Sequence, residues 1–273
     1  MADEVASHYS DGRNLATAIA DSLSKAGKDI GKLTTADLGT VDEFHIRGRK
    51  ATLELGQFLR LNAGSRVLDI GSGLGGPART FAETYGCHVT GIDLTQAFCD
   101  AATTLSTWVG MSDRVAFQQG DATNLPFADG QFDAAFTIHV AMNIAAKDRM
   151  YAEARRVLRP GGLFGVYDVL KGEGGDIQYP VPWAREPSIS HVATPDTMVA
   201  LLSGAGFKIL STQDSSDEGL RWFEAMAAMM AQGTPPPVTF RTFLGDDFPE
   251  MSRNMQSNLR ERRIRTVSYI CQR

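Results

Sequence analysis

Glycines and carboxylates follow one another at a spacing that can hold a nucleotide-like ligand. Gly71, Gly73 and Gly76 form a G-x-G-x-x-G pattern directly after the apolar run Val67–Ile70. Glycines at such a turn let backbone N–H groups approach a ligand, because no Cβ intervenes. Asp93 follows at roughly the 20-residue spacing expected of an acid that binds ribose hydroxyls. This context favours a nucleotide-like ligand over a glycine turn needed only for packing.

Two further carboxylates bear on the kind of ligand. Asp69 lies two residues before Gly71, where a carboxylate suits an ammonium and a sulfonium group and would repel a pyrophosphate. Asp121 follows the third strand and can accept a hydrogen bond from the exocyclic amine of adenine, although an Asx turn is the simpler interpretation. Both features favour S-adenosylmethionine over NAD. An NAD-dependent oxidoreductase stays an alternative that rests on the glycine spacing alone.

The elements that must position these residues alternate between strand and helix. Seven apolar runs predict strands, and helical stretches separate most of them. The predicted strands are Val67–Ile70, Val89–Ile92, Val115–Gln118, Phe132–Ile138, Leu163–Val169, Phe207–Ser211 and Thr266–Cys271. This rhythm indicates a doubly wound α/β fold, with a parallel sheet and helices on both faces.

Three segments fall outside this rhythm. Residues 1–62 are predicted to form an N-terminal helical cap or lid, with one helix over 13–26 and a longer helical stretch from Asp42 to near Leu59. The Gly/Pro-rich segment 171–193 interrupts the α/β domain of residues 63–273 and is predicted to be a second lid over the crevice. Residues 212–262 are expected to shape the substrate pocket. Their methionines are expected to be adaptable core packing: Met226, Met229 and Met230.

One histidine is placed to act in the crevice. His139 follows the fourth strand, and residues at the carboxyl ends of such strands face the ligand. It can be a general base, since imidazole titrates near pH ~6.5, or a wall residue that only orients ligand. Metal ligation is not expected, because no second ligand lies at i+3 or i+4.

Three more side chains are candidate substrate contacts. Tyr167 ends the fifth strand, and Trp183 and His191 lie in the 171–193 insertion. Lid packing for Trp183 and a solvated loop position for His191 are the alternatives.

Composition argues against several classes of protein. The net charge of −5 argues against a nucleic-acid partner, which needs a basic face. No apolar run approaches the roughly 20 residues of a membrane span. Cys87, Cys99 and Cys271 form no CxxC pair and indicate buried free thiols, so we expect a cytoplasmic protein. The expected partner is a small-molecule acceptor, and a homodimer stays open.

Four segments together resemble the class I S-adenosylmethionine-dependent methyltransferases. The resemblance is to small-molecule enzymes related to the ubiquinone/menaquinone, sterol C-24 and sarcosine/dimethylglycine methyltransferases. It implies a Rossmann-like sheet of seven strands with the last antiparallel, S-adenosylmethionine as cofactor, S-adenosylhomocysteine as product and no metal. The segments are VLDIGSGLGGP (67–77), VTGID (89–93), GDATNLPFADGQFD (120–133) and EARRVLRPGG (153–162).

The resemblance also implies roles for individual residues around the cofactor. The methionine part would be lined by Asp69, Gly71, Gly73 and Gly75. Asp93 would hold the ribose hydroxyls, Leu94 would pack on the adenine, and Asp121 and Ala122 would contact its amine and ring nitrogen. His139 would lie beside the sulfonium with Asn143 nearby, so these two and Tyr167 are the candidate catalytic residues.

The cap would add two contacts of its own. Tyr9 matches an N-terminal tyrosine that closes over the cofactor, and residues 44–48 resemble a His-x-Gly-Gly loop near the cofactor carboxylate. Arg47 replaces the first glycine of that loop, before Gly48, and an arginine can bind the carboxylate itself. A non-catalytic cofactor-binding or regulatory protein on the same fold stays the alternative.

Overall fold

The computed structural model of the chain describes residues 15–232 and 244–273. In these ranges the seven predicted strands are all present and alternate with helices. The strands are β1 (Arg66–Ile70), β2 (His88–Asp93), β3 (Val115–Gln119), β4 (Phe132–Ile138), β5 (Leu158–Lys171), β6 (Lys208–Asp214) and β7 (Ile264–Gln272). The helices are α1 (Leu15–Lys25), α2 (Thr35–Asp42), α3 (Gly48–Gln57), α4 (Gly76–Tyr85), α5 (Gln96–Trp108), α6 (Lys147–Val157), α7 (Pro195–Gly204), α8 (Ser216–Ala231) and α9 (Phe248–Arg260).

The strands form one sheet in the order β3-β2-β1-β4-β5-β7-β6. The first five strands run parallel, and β7 runs antiparallel to both β5 and β6. The chain reverses its direction of travel across the sheet after β3, so a topological switch point lies between β1 and β4. Ligands of doubly wound sheets bind at that point, outside the carboxyl ends of the strands. The predicted doubly wound sheet with an antiparallel last strand is confirmed.

The central strands β1, β4 and β5 are buried on both faces of the sheet, because their successive apolar side chains point to opposite faces. Leu68 and Phe164 point into a core beneath α6 and α7, while Val67 and Phe136 point into a second core beneath α3 and α4. The two cores fix the sheet between helical layers. The carboxyl ends of β1, β2 and β4 are therefore held rigidly where they enter the site.

The cap departs from its prediction in one place. The expected continuous helix from Asp42 to Leu59 is wrong, because α2 ends at Asp42 and α3 begins at Gly48. Between them Glu43 is buried and accepts hydrogen bonds from Thr52 (2.6 Å) and Thr80 (2.6 Å), which draws the chain inward. Arg47 then takes a left-handed conformation with φ of 72°, which a helix cannot contain.

A buried ion pair ties this cap to the sheet domain. Arg79 of α4 donates to Asp42 at 2.7 Å, and both side chains are almost completely buried. Arg79 also donates to the Ala102 carbonyl and the Ser106 hydroxyl of α5. Burial raises the pKa of Asp42 to about 6 despite the neighbouring guanidinium. The cap and the domain thus share polar interactions that water cannot reach.

The 171–193 insertion is largely irregular, as its Gly and Pro content predicts. It contains one short 3₁₀ turn, Pro187–Ile189, and a single bridge between Val181 and Ala184. Trp183 is buried in a small apolar cluster with Met255 of α9. None of the helices in the described ranges is long and apolar enough to cross a membrane.

Candidate active site

A cavity of about 720 Å³ opens at the switch point of the sheet. Its volume lies in the range of ligand pockets, about 300–1,000 Å³. One end is formed by the loops that follow β1, β2, β3 and β4. The other is formed by the 171–193 insertion, α8 and the start of α9. The cavity therefore has a polar end at the strands and a mainly apolar end beneath the helices.

The glycine turn after β1 forms the floor of the polar end. The N–H groups of Gly71 and Ser72 donate to the Ile92 carbonyl at 2.8 and 3.0 Å, which closes the turn against β2. A Cβ on Gly71 would lie 2.4 Å from Val140, whereas one on Gly73 would meet no protein atom within 4 Å. Gly73 therefore borders open space, and Gly71 permits close packing.

Gly75 does not line the cavity, contrary to its predicted role. A Cβ there would lie 2.4 Å from Phe117, and the residue has φ of 80° at the start of α4. Its glycine is required because the turn packs tightly against β3. The predicted cofactor contact is replaced by a packing role.

Asp93 lies at the end of β2 on the cavity wall, where the ribose-binding acid was predicted. Its carboxylate accepts hydrogen bonds from the backbone N–H groups of Gly73 (2.9 Å) and Thr95 (2.9 Å). Burial raises its pKa, while these donors act in the opposite direction. The two hydrogen bonds fix the carboxylate against the glycine turn.

Leu94, Asp121 and Ala122 also line this end of the cavity. One oxygen of Asp121 accepts from the N–H (2.8 Å) and the hydroxyl (2.8 Å) of Thr123, so the residue does form an Asx turn. That turn presents the 120–123 loop to the cavity opposite Leu94. The two interpretations of Asp121 are therefore compatible.

Three of the six buried side-chain N or O atoms that have no partner in the described residues lie in β1, in the glycine turn that follows it and directly after β4. Within the described residues Asp69 Oδ2, Ser72 Oγ and His139 Nε2 are buried and make no hydrogen bond. Burial and the nearby carboxylates of Asp93 and Glu43 raise the pKa of Asp69 well above its ordinary value. Asp69 lies just behind the cavity wall rather than on it. Unsatisfied buried groups of this kind mark a place where a polar ligand completes the hydrogen bonding.

His139 stands directly after β4 and lines the cavity. Its φ of 54° is unusual for a residue with a side chain, and its N–H donates to the Tyr167 carbonyl at 2.8 Å. Burial, with a smaller effect of His45, lowers the pKa of the imidazole well below its ordinary value. The ring is therefore neutral at physiological pH.

His45 is a second histidine that lines the cavity. It belongs to the 44–48 loop discussed above but was not among the predicted site residues. Its Nε2 lies 2.9 Å from the Gly48 carbonyl, which can only accept, so Nε2 carries the hydrogen and Nδ1 does not. Burial lowers its pKa to about 4. The resemblance of residues 44–48 to a His-x-Gly-Gly loop could have identified His45 from the sequence.

Arg47 and Gly48 do not line the cavity, and the predicted contact of Arg47 with a ligand carboxylate is wrong. The Arg47 guanidinium turns away to form an ion pair with Glu54 of α3. The Arg47 side chain is almost completely buried there, next to Tyr167. The loop contributes Phe44, His45 and Ile46 to the cavity instead.

Tyr167 lies behind His139 and not on the cavity wall, which corrects its predicted contact with substrate. Its ring is 4.9 Å from that of His139, and its hydroxyl donates to the Ile46 carbonyl at 3.3 Å. The side chain alternation of β5 directs it toward the cap. Tyr167 supports the His139 ring from behind.

Asn143, Trp183 and His191 all line the cavity. The predicted place of Asn143 near the sulfonium and the predicted substrate contacts of Trp183 and His191 stay predictions. Asn143 donates to the Trp183 carbonyl at 2.8 Å, and the Trp183 indole donates to Ser190 at 2.9 Å. His191 is half-buried rather than a solvated loop residue, and burial lowers its pKa. The insertion is thus hydrogen-bonded to the loop after β4.

A buried lysine reinforces that connection. Lys147 at the start of α6 donates to the carbonyls of Ile144, at 2.6 Å, and His191. Burial lowers the pKa of Lys147, an effect that the nearby Asp168 of β5 partly offsets, and burial raises the pKa of Asp168 to about 7. Lys147 therefore fastens the insertion to the loop between β4 and α6.

The methionines of α8 are not core residues, so that prediction is wrong. Met229 and Met230 are 43% and 50% exposed, and Met226 and Met230 line the cavity. The part of the α8 face that carries Met226 and Met230 borders the cavity and not the core. The predicted contact of Tyr9 lies outside the described residues.

No group of three or more His, Cys, Asp or Glu side chains in the described ranges is arranged to hold a metal ion.

A model of the methyltransferase domain matches residues 68–166, which span β1 to β5 and all the cofactor-end loops. The chain belongs to the class I S-adenosylmethionine-dependent methyltransferase family. The family predicted from the four sequence segments is therefore confirmed, and the nicotinamide alternative finds no support.

Curated relatives of this methyltransferase-family chain include sterol 24-C-methyltransferases and a further methyltransferase. The sterol 24-C-methyltransferase ERG6B of Gibberella zeae is 33% identical over 167 residues, which are 58% of this chain and 44% of that protein. The methyltransferase GfsG of Streptomyces halstedii is 31% identical over 188 residues, covering 67% of this chain and 66% of that protein. The chain spans less than half the length of the sterol methyltransferases it matches.

Solved structures agree with the fold. The [4+2]-cyclase SpnF has a TM-score of 0.67 and 27% identity, covering 82% of this chain and 81% of its own. Phosphoethanolamine N-methyltransferase 2 of Haemonchus contortus has a TM-score of 0.70 at 19% identity, covering 92% of this chain and 59% of that protein. The second likeness concerns the fold alone.

The residues of the polar end suit S-adenosylmethionine, the cofactor of the family. Gly73 borders space that a Cβ would fill, and the unpartnered oxygens of Asp69 and Ser72 can accept from an ammonium group or a water beside it. Asp93 offers a fixed carboxylate to vicinal hydroxyls, and the apolar side chain of Leu94 offers a surface for a purine. Donors, acceptors and open space are thus all present for this cofactor.

Proposed function

We propose that the chain transfers a methyl group from S-adenosylmethionine to a small-molecule acceptor. The observation that carries the proposal is the set of unpartnered buried atoms, Asp69 Oδ2, Ser72 Oγ and His139 Nε2, at the carboxyl ends of β1 and β4 beside a large cavity. When bound, the cofactor supplies an electrophilic methyl group on a sulfonium. The protein residues must bind the cofactor, orient the acceptor and exclude water.

Cofactor binding is assigned to the polar end. Asp93 would hold the ribose hydroxyls, and Leu94, Asp121 and Ala122 would contact the adenine. Gly71, Gly73 and Ser72, with Asp69 behind them, would hold the methionine part. Because burial makes the Asp69 carboxylate costly to ionise alone, a bound ammonium group would lower its pKa again.

Acceptor positioning is assigned to His139, with Asn143 as a second polar group. A neutral imidazole can orient an acceptor by a hydrogen bond, whereas a low pKa makes it a weak general base near neutral pH. We therefore favour orientation over proton abstraction. Holding the reacting atoms about 3–3.5 Å apart can supply roughly 7–11 kcal/mol of the barrier reduction.

The insertion and the cap are proposed to act as lids over the cavity. Lys147 fastens the insertion at His191, and Phe44 to Ile46 bring the cap to the cavity wall. Both segments would exclude water from the reacting groups. The three free cysteines, all buried, support a reducing and hence cytoplasmic location.

The test is a turnover screen with purified full-length protein. Amines, phenols, quinone precursors and sterols would be incubated with S-adenosylmethionine, and S-adenosylhomocysteine and product mass would be measured. Formation of S-adenosylhomocysteine with a product heavier by one methylene is expected for at least one acceptor. Tight cofactor binding with no turnover across the screen would favour a non-catalytic protein instead.

A second reaction class has one specific observation in its favour. The 27% identical relative SpnF is a [4+2]-cyclase, so the same fold hosts a reaction other than methyl transfer. An apolar cavity could orient a polyene for ring closure in the same way. Conversion of a substrate to an isomer of equal mass, without S-adenosylhomocysteine, would identify that reaction.

A further inference from the structure

Helix α8 presents an apolar face to the cavity. Trp222, Met226 and Met230 follow one another at intervals of four residues, with Phe223 beside Trp222 at a ring distance of 4.9 Å. All four line the cavity. Met226 and Met230 belong to none of the hydrophobic clusters in the described part of the chain. An apolar face left in water is unfavourable, so this one is suited to being covered by a ligand.

Apolar groups also form the walls opposite α8. Phe248 and Met255 come from α9, Trp183 and Ile189 come from the insertion, and Met142 comes from the loop after β4. Together with the α8 face they define the acceptor subsite, the half of the cavity away from the glycine turn. Methionine side chains are flexible and polarizable, so such a subsite adapts to irregular ring systems.

Charge is nearly absent from the acceptor subsite. Among the described residues that line it, Arg253 has the one charged side chain, and it is exposed. The lining carboxylates lie at the other end, where Asp93 is held by backbone N–H groups and Asp42 by Arg79. An ammonium group placed in the subsite, or a carboxylate or phosphate held away from the exposed Arg253, would be desolvated without a partner, which is costly.

We propose that the methyl acceptor is a bulky, apolar and uncharged molecule, bound between α8, α9 and the insertion with its reacting group toward His139. This rests on the proposed function and specifies its substrate class. Small zwitterions and phosphorylated amines are excluded as acceptors, because neither the apolar walls nor the missing counter-charges suit them.

The test measures binding and does not depend on knowing the acceptor. The full-length protein, saturated with S-adenosylhomocysteine, is titrated with the neutral fluorescent probe N-phenylnaphthylamine and with anilinonaphthalene sulfonate, which adds one anionic group to the same ring system. The neutral probe should bind at least tenfold more tightly. Neutral alkylphenols should displace it with an affinity that rises about fourfold for each added methylene.

Two substitutions on one helix supply the matched comparison. Met226→Gln lies in the subsite and should weaken binding of the neutral probe about 5- to 20-fold. Met229→Gln makes the same chemical change on the same helix at a residue that does not line the cavity, and should leave probe binding unchanged. Thermal unfolding midpoints of both variants show whether each remains folded.

The outcomes separate this proposal from the one before it. Equal or tighter binding of the sulfonate, lost on Arg253→Ala, would overturn it in favour of an anionic acceptor. An equal effect of the two methionine variants, or a flat alkylphenol series, would also overturn it. Failure of S-adenosylhomocysteine to bind would instead overturn the proposed function, and the probe titration would still report on the subsite alone.

Discussion

The imidazole rings of His45 and His139 lie 5.9 Å apart with their planes inclined at 72°. One comes from the cap and the other from the end of β4, so the pair joins two parts of the chain at the cavity wall. Each is kept neutral by burial, and His45 lowers the pKa of His139 further. Protonation of either ring would place a cation next to the other, which couples the pair to pH.

The first prediction concerns His139. His139→Gln should lower kcat/KM about 10- to 100-fold, chiefly through acceptor KM, because a hydrogen bond to the acceptor is lost. The affinity for S-adenosylhomocysteine should not change. The wild-type pH–rate profile should be flat from about pH 6.5 upward, since the pKa of His139 lies well below that value. A limb between about pH 6 and 7 that disappears in the variant would make His139 the general base.

The second prediction follows from the lowered pKa of His45. The unfolded chain takes up a proton near pH 6.5, whereas folded His45 does so only at about 4. The contribution of His45 to the free energy of unfolding is therefore fully present above pH 6.5 and is lost as the pH falls toward 4. Between pH 7 and pH 5 the loss should be about 2 kcal/mol.

Urea unfolding at both pH values checks this prediction. His45→Gln should show a smaller pH dependence than the wild type, whatever its absolute stability. The buried carboxyls Glu43 and Asp69 have raised pKa values and act in the opposite sense, so the difference between the two proteins is the informative quantity. Identical pH dependence in both would contradict the assignment.

The third prediction separates two glycines of one turn. Gly73→Ala should cost about 1–2 kcal/mol for its left-handed backbone, and should abolish most cofactor binding, because the new methyl group enters open cavity space. Gly75→Ala causes a similar backbone strain, and its new methyl group also clashes with Phe117. It should therefore lower the unfolding midpoint more than Gly73→Ala does. Thermal unfolding with calorimetric titration of S-adenosylhomocysteine checks both. The opposite ranking would exclude Gly73 from the cofactor site.

The fourth prediction concerns Asp93. Asp93→Ala removes a charged acceptor from the cavity wall and should weaken S-adenosylhomocysteine binding by about 1.5–3 kcal/mol. Asp100→Ala, an exposed acid on the next helix, is the matched control and should have no effect. Calorimetry measures both. Unchanged affinity in Asp93→Ala would remove this residue from the binding site.

The fifth prediction tests how the insertion is fastened. Lys147→Met removes two hydrogen bonds from a cationic donor and should destabilise the protein by about 2–4 kcal/mol. Amide exchange should accelerate over residues 187–193 but not over the glycine turn, and the acceptor KM should rise more than the cofactor Kd. Uniform acceleration across the chain would instead indicate a purely global role.

Local sequence signals were sufficient for much of the fold. Short apolar runs predict the strands. Glycines such as Gly71, where Val140 leaves no room for a side chain, predict the turn. Glu43 illustrates what was missed: the helix break around it depends on hydrogen bonds from Thr52 of α3 and from Thr80 of α4, which lies 37 residues further along the chain. Met226 illustrates another limit, since helical periodicity identifies an apolar face without telling whether core or cavity lies opposite. The direction of Tyr167 likewise depends on which side of the sheet the cap occupies.

The ion pair between Asp42 and Arg79 makes residue 62 a poor place to divide the chain. A polypeptide beginning at residue 63 would keep Arg79 in the interior after losing its counter-ion, and Thr80 would lose the buried Glu43 carboxylate. Leaving one member of a buried ion pair alone typically costs about 3–5 kcal/mol, a large share of the stability of an ordinary domain. The first helices are consequently an integral part of the folding unit, and exchanging them between relatives to alter specificity would require α4 to be exchanged with them.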